Sequence, residues 1–296
     1  MPALPYGVGM AGPAEESPRR RLRINLGYDG GGFAGWARQP GLRTVEGMLS
    51  DALDTLTRED ATPLVVAGRT DAGVHARRQV CHVDVPVTVV DQLNERRLNG
   101  LLPPDVRVHG VGPAAPGFDA RFSATHRSYC YRLADEPAAV DPLRRDVLRW
   151  PRRLDVAAMA AACPALLGLH DFAAFCRART GATTIRTLLA LDVERSSTGV
   201  VEVGVRADAF CHSMVRGLVG ALVGVGEGRH GPDWPAQVLA RALRDPAVRV
   251  LPPGGLTLEQ VAYPVESELA ARAERARAMR APPETAPAAP SDGGRS

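Results

Sequence analysis

The sequence predicts an α+β protein made of two ferredoxin-like halves, each a βαββαβ unit, whose sheets could join and carry helices packed on them. Three observations predict it. Segments with strand-like and helix-like hydrophobic periods follow one another in the same order twice. A hydrophobic content of 45% over 296 residues is enough to fill the cores of two modest domains. No stretch nears the ~20 uninterrupted apolar residues of a membrane span.

The chain divides as follows. Residues 1–19 are rich in Pro, Gly and Ala without a period, and 281–296 (APPETAPAAPSDGGRS) read the same way. A disordered extension over 1–19 and a flexible tail over 269–296 are expected. The first domain, 20–115, opens with a strand at 22–28 (LRINLGY) and a glycine-rich loop. A helix follows from Thr44, whose hydroxyl is placed to cap it just ahead of Val45, Met48, Leu49, Ala52, Leu53 and Leu56 at helical spacing. Strands at 63–67 and 79–85, a helix capped by Asp91 and a strand at 105–111 complete the unit. The second domain, 116–268, begins after the Pro/Gly-rich stretch Gly112 to Gly117, with a strand at 127–133. A helix from Asp155 to about Leu167 comes next, kinked or shortened by Pro164. Strands at 185–194 and 199–206 flank a turn at Ser196 to Thr198, a long apolar helix spans 210–226, and a last strand lies at 256–263.

Composition excludes several classes of chemistry. The chain has no lysine, so all 36 of its basic residues are arginine. Schiff-base chemistry, pyridoxal phosphate attachment and the phosphate loop ending GK[ST] all need a lysine. Arginine is also the better side chain for bidentate phosphate contact and for stacking on bases. The N-terminus lacks the basic-then-apolar order of a signal peptide, and a cytoplasmic location is expected. Cys81, Cys130, Cys163, Cys176 and Cys211 form an odd set without a CxxC pair, which predicts reduced, mostly buried thiols. The seven histidines show no HExxH or Hx₃H spacing, and the HxE…PCxxC pattern of zinc deaminases is missing, so no metal is expected.

Four segments carry candidate chemistry. Gly68-Arg69-Thr70-Asp71-Ala72-Gly73-Val74-His75-Ala76 follows a short apolar strand, and its glycines allow turns that set Arg69 and Asp71 on a loop at a sheet end. The helix at 210–226 carries Arg216 as its only full charge. A helix apolar nearly all round is buried, and a buried guanidinium needs an anion. Asp71, Asp29 and Asp208 are all candidates for that anion, and spacing does not choose among them. If Asp71 is the partner, the arginine should lower its pKa by about 1–3, keeping it ionised as a nucleophile or base must be.

In Arg121-Phe122-Ser123-Ala124-Thr125-His126-Arg127-Ser128-Tyr129-Cys130-Tyr131, alternation sends Tyr129 and Tyr131 to one sheet face, where one of them could stack on a base. The loop Tyr28-Asp29-Gly30-Gly31-Gly32-Phe33-Ala34-Gly35-Trp36, followed by Arg38 and Arg43, can clamp a nucleic-acid backbone, with Trp36 and Arg38 as candidate substrate contacts. Its GxGxxG at 30–35 is not a dinucleotide site, because Pro40 and Gly41 intervene before the helix at Thr44 and leave no helix N-terminus for a pyrophosphate. A basic run, Arg144, Arg145, Arg149, Arg152 and Arg153, surrounds Trp150 and reads either as a phosphate contact or as a solvated loop paired with Asp146 and Asp155.

Taken in order, YDGGGFAGW, AGRTDAGVHA, RFSATHRSYCY and FCHSMVR resemble the tRNA pseudouridine synthase A family over about residues 20–265. The resemblance implies two ferredoxin-like halves joined in a continuous sheet, a homodimer, no cofactor, and tRNA as partner, with uridines 38 to 40 of the anticodon stem-loop as substrate. It places the catalytic aspartate on Asp71, the arginine beside it on Arg69, the base-contacting tyrosine on Tyr129, and the arginine that pairs with the aspartate on Arg216. The chain departs from the family pattern after Trp36, where Ala37-Arg38-Gln39 stands in place of Gln-x-Gln. A different class of protein, a non-catalytic RNA binder built of tandem ferredoxin-like modules, would show paired sheet aromatics. This chain lacks the RNP1 pattern and is only 5% aromatic.

Overall fold

The computed structural model describes residues 18–59, 63–177 and 183–277. Most of the N-terminal extension and the final nineteen positions therefore lie outside the described residues. In chain order the first run is β1 (Arg19–Tyr28), α1 (Val45–Thr57), β2 (Leu64–Val66), β3 (His75–Pro86), α2 (Glu95–Leu101) and β4 (Val106–Pro113). The second is β5 (His126–Ala134), β6 (Leu148–Arg149), α3 (Val156–Ala162), β7 (Gly168–Asp171), β8 (Ile185–Arg195), β9 (Val201–Ala207), α4 (Met214–Gly226), α5 (Trp234–Ala240) and β10 (Leu256–Ala262), with α6 (Leu269–Arg277) after it.

The ten strands form one sheet in the order β4-β1-β3-β10-β5-β9-β8-β7, with β2 against β3 and β6 against β5. Within each run the four main strands stand fourth, first, third, second: β4-β1-β3-β2 and β10-β5-β9-β8. The two sets meet where β3 and β10 pair in parallel, Thr257 opposite His75 and Leu258 opposite Ala76. Along β1, Leu22, Ile24, Leu26 and Tyr28 are buried while Arg21, Arg23 and Asn25 are less so, the alternation of a sheet with one core face. The seam is braced by charge. Arg77 of β3 pairs with Asp146 and Glu259, and Arg132 of β5 pairs with Asp146, Glu202 and Glu259.

Local chemistry explains where the elements start and stop. Thr44 caps α1, its hydroxyl accepting from the Gly47 amide at 3.2 Å. The helix expected after Asp91 is corrected: Asp91 sits within a 3-10 turn, Val87–Gln92, and Asn94 caps α2 by accepting from the Arg97 amide at 3.0 Å. Both residue types make good caps, and only Asn94 lies three residues ahead of a free helical amide. Asp155 caps α3 as expected, and Pro164, with no amide hydrogen to continue the helix, opens a 3-10 turn, so α3 ends at Ala162. The expected tail begins with α6 instead, which docks through buried Leu269 and Ala273. Among the described residues no helix is long and apolar enough to cross a membrane.

Buried α4 owes its close packing to glycine. A Cβ on Gly217 would lie 2.6 Å from the Phe175 carbonyl oxygen, and one on Gly220 would overlap that of Arg249. The absent side chains let two neighbouring backbone segments lie directly on the helix.

Candidate active site

The loop between β2 and β3 is fastened to the glycine-rich loop after β1. The Tyr28 hydroxyl bonds the Thr70 hydroxyl at 2.8 Å, and the Gln79 amide nitrogen donates to the Tyr28 oxygen and to the Gly68 carbonyl. The Trp36 amide donates to the Thr70 carbonyl at 3.1 Å, and the Gly73 amide to that of Phe33 at 3.2 Å. Gly35 has φ +102°, and a Cβ there would stand 3.0 Å from the Thr70 carbonyl oxygen, so only glycine fits the close approach. These bonds leave Asp71 at the loop's apex with its side chain 27% exposed.

Two side chains of the second run face Asp71. Arg216 Nη2 lies 2.7 Å from its Oδ2, and His212 Nε2 lies 3.3 Å from its Oδ1. Arg216 stands in the first turn of α4, its side chain 15% exposed, and also donates to the Ser213 hydroxyl at 3.0 Å and the Leu251 carbonyl at 3.1 Å. Ser213 adopts the left-handed conformation, φ 65°, and that sharp turn is why the apolar helix begins at Met214 rather than 210. The two rivals for Arg216 are engaged elsewhere. Asp29 faces His75 at 3.0 Å, and Asp208 accepts from the Ala209 and Thr187 amides.

Tyr129 of β5 lines the same cleft, buried and edge-on to Phe210 with ring centroids 5.0 Å apart. Burial raises its phenol well above the ordinary tyrosine value, so it serves as an uncharged ring. Arg69 is exposed in the cleft lining without a hydrogen-bond or ion-pair partner among the described residues. Of the two other expected substrate contacts, Trp36 borders the cleft and Arg38 does not. The Trp36 side chain is 0% exposed and belongs to the core, while its backbone holds the Asp71 loop. Arg38 is not in the cleft lining; it pairs with Asp51 on the exposed face of α1 at 3.1 Å.

The sequence reading gives no role to Arg127 or His212. Arg127 is buried with no ion-pair partner among the described residues and donates to three carbonyls, those of Asp208, Ala67 and Arg121. It thereby ties together three of the segments that border the cleft, and burial lowers its pKa from the ordinary arginine value. Its position, two residues before Tyr129 on one strand face, was the available signal. For His212 the signal was its place as the other imidazole or charge in the apolar segment that carries Arg216.

The basic run around Trp150 is largely paired: Arg144 with Asp146, Arg145 with Asp29, Arg152 with Glu227, and Arg153 with Glu136. Asp155 acts as a helix cap instead. The cysteine expectation is corrected in part. Cys176 and Cys211 form a disulfide with Cα atoms 5.9 Å apart, while Cys81, Cys130 and Cys163 are buried free thiols. The fold brings the turn before Arg177 against the segment before α4, a proximity that a separation of 35 residues conceals in the sequence.

These groups border an open cleft of about 1170 Å³. Seven arginines and three carboxylates among the described residues line it, so the field over the opening is positive. Arg272 and Arg277 of α6 belong to that lining. No cluster of three potential ligands among the described residues could hold a metal ion.

Comparison with known proteins adds the following. Residues 162–264 match the family model described as tRNA pseudouridine synthase. A protein of Frankia casuarinae named tRNA pseudouridine synthase A is 63% identical over 264 residues, 89% of this chain and 96% of that one. Proteins of the same name from Streptomyces griseus and Streptomyces avermitilis are 55% and 54% identical, each over 89% of this chain and 95% of theirs.

Proposed function

The chain belongs to the tRNA pseudouridine synthase A family, and from that premise we propose that it isomerises uridine to pseudouridine in the anticodon stem-loop of tRNA, at positions 38 to 40, with Asp71 as the catalytic carboxylate. The observation that carries the reading is the ion pair of Asp71 with Arg216 beside Tyr129 in a cleft rich in arginine. A carboxylate so held is directed and reachable, while the arginines around it suit a polyanion.

The reaction breaks the bond from uracil N1 to the ribose, turns the base, and rejoins it through C5, with loss of the C5 hydrogen. It consumes neither redox equivalents nor water, so the chain's own residues suffice. The nucleotide must first leave its stack, at a cost of a few kcal/mol. Arg69 aids that step by contacting phosphate or filling the vacated stack. Tyr129 packs on the everted uracil, Asp71 acts on the nucleoside, and Arg216 orients the carboxylate.

Tritium at uracil C5 of a tRNA substrate tests this directly, because forming the new carbon bond releases it to water. The parent chain should release it and Asp71→Ala should not, while still binding tRNA. A fully active Asp71→Ala variant would remove Asp71 from the chemistry. The family resemblance also carries the proposal of a homodimer, for which light scattering should give the mass of two chains.

A further inference from the structure

We propose that His212 is a positioning residue for this reaction, fixing the second oxygen of Asp71 while Arg216 fixes the first; the inference rests on the function proposed above. Arg216 gives Asp71 a single bond, from Nη2 to Oδ2, and shares that same nitrogen with the Ser213 hydroxyl. Its other terminal nitrogen serves the Leu251 carbonyl. One bond to one oxygen leaves a carboxylate free to turn about its Cβ–Cγ bond. His212 Nε2, 3.3 Å from Oδ1, removes that freedom when it carries the proton.

The distance lies just beyond the usual hydrogen-bond range, as catalytic contacts without substrate often do before they tighten around it. His212 is itself held from both sides. Its carbonyl accepts from the Arg177 amide at 2.9 Å, the disulfide at Cys211 anchors the residue before it, and the left-handed turn at Ser213 sets its direction relative to Arg216. Donors on both oxygens leave the remaining lone pairs pointing in fixed directions, one set into the cleft where the everted nucleoside would sit. A carboxylate that must meet a specific atom of the substrate gains rate from that restriction and gains no affinity from it.

Steady-state tritium release by the full chain separates this role from others. His212→Ala should lower kcat by roughly 10- to 100-fold and leave KM within about threefold, the pattern of lost orientation rather than lost binding. His212→Gln, whose amide N–H reaches about as far as Nε2, should recover to within about threefold of the parent kcat. His212→Asn, which is too short, should resemble the alanine variant. If the alanine variant does not fold, the contrast between Gln and Asn decides alone. Three results would each overturn the proposal: a kcat for His212→Ala within about twofold of the parent, a rise in KM with kcat unchanged, or equal activity of the Gln and Asn variants. Failure of the functional reading looks different, since there the parent chain releases no tritium or Asp71→Ala still does.

Discussion

The two βαββαβ runs share one strand order and finish their long helices in opposite ways. In α1 the buried positions form a stripe, Val45, Leu49, Ala52 and Leu53, and the outer face carries Asp51 in a solvated pair with Arg38. In α4 every residue except Arg216 is buried, and glycines admit neighbouring backbone on several sides. A guanidinium at the head of such a helix has no neighbour of opposite charge within its own helix. Asp71 comes to it from the other run. The difference teaches that the second run provides a packed platform for a charge and the first provides its carboxylate partner, so the proposed site lies at the joint between them.

The largest test of that contrast replaces the charge on each helix. Arg216→Met should reduce tritium release to background and cost roughly 1–3 kcal/mol of stability, because it strands the Asp71 oxygen and the Leu251 carbonyl. Asp51→Asn on α1 should leave activity within about twofold, since a solvated pair contributes little. A fully active Arg216→Met enzyme would break the comparison.

Packing gives the next effect. Gly220→Ala forces the Arg249 backbone away from α4 and should cost about 3 kcal/mol, read as a lower urea midpoint. Gly47→Ala in α1 meets only the Thr44 side-chain oxygen, at 2.9 Å, and the better helix propensity of alanine, about 1 kcal/mol, should bring it near neutral.

The joint itself responds to acid. Burial disfavours the Asp146 carboxylate, yet the hydrogen bond and charge of Arg144 and the charges of Arg132 and Arg77 outweigh it and hold its pKa down to about 2. An aspartate in the unfolded chain titrates near ~3.9. The stabilisation is therefore complete above that value and disappears as pH falls through about 2. Asp146→Asn should cost about 1–2 kcal/mol at neutral pH and flatten this part of the acid denaturation curve. The smallest effect concerns caps. Thr44→Ala should destabilise by about 1 kcal/mol, read by thermal melting.

The elements with a clear hydrophobic period were legible in the sequence, α1 and the central strands above all, because burial on one face leaves its mark in composition. Arg216 was legible as a charge in need of an anion for the same reason. Its partner was not, since Asp29, Asp71 and Asp208 differ only in where the sheet delivers them. Trp36 shows the converse limit: an aromatic in a glycine-rich loop can face either way, and here its indole faces the core. Short β7, α5 and α6 left little trace. In α6 just two residues four apart, Leu269 and Ala273, are buried, too few to stand out from an Ala/Arg/Glu-rich stretch.

The parallel seam of β3 with β10 has a consequence for how the protein is born. Synthesis proceeds from the N-terminus, so the loop bearing Asp71 leaves the ribosome long before Arg216, and β3 waits for a neighbour that is the last strand made. A chain cut short between α4 and β10 would carry both Asp71 and Arg216 and lack the strand that joins the two runs holding them.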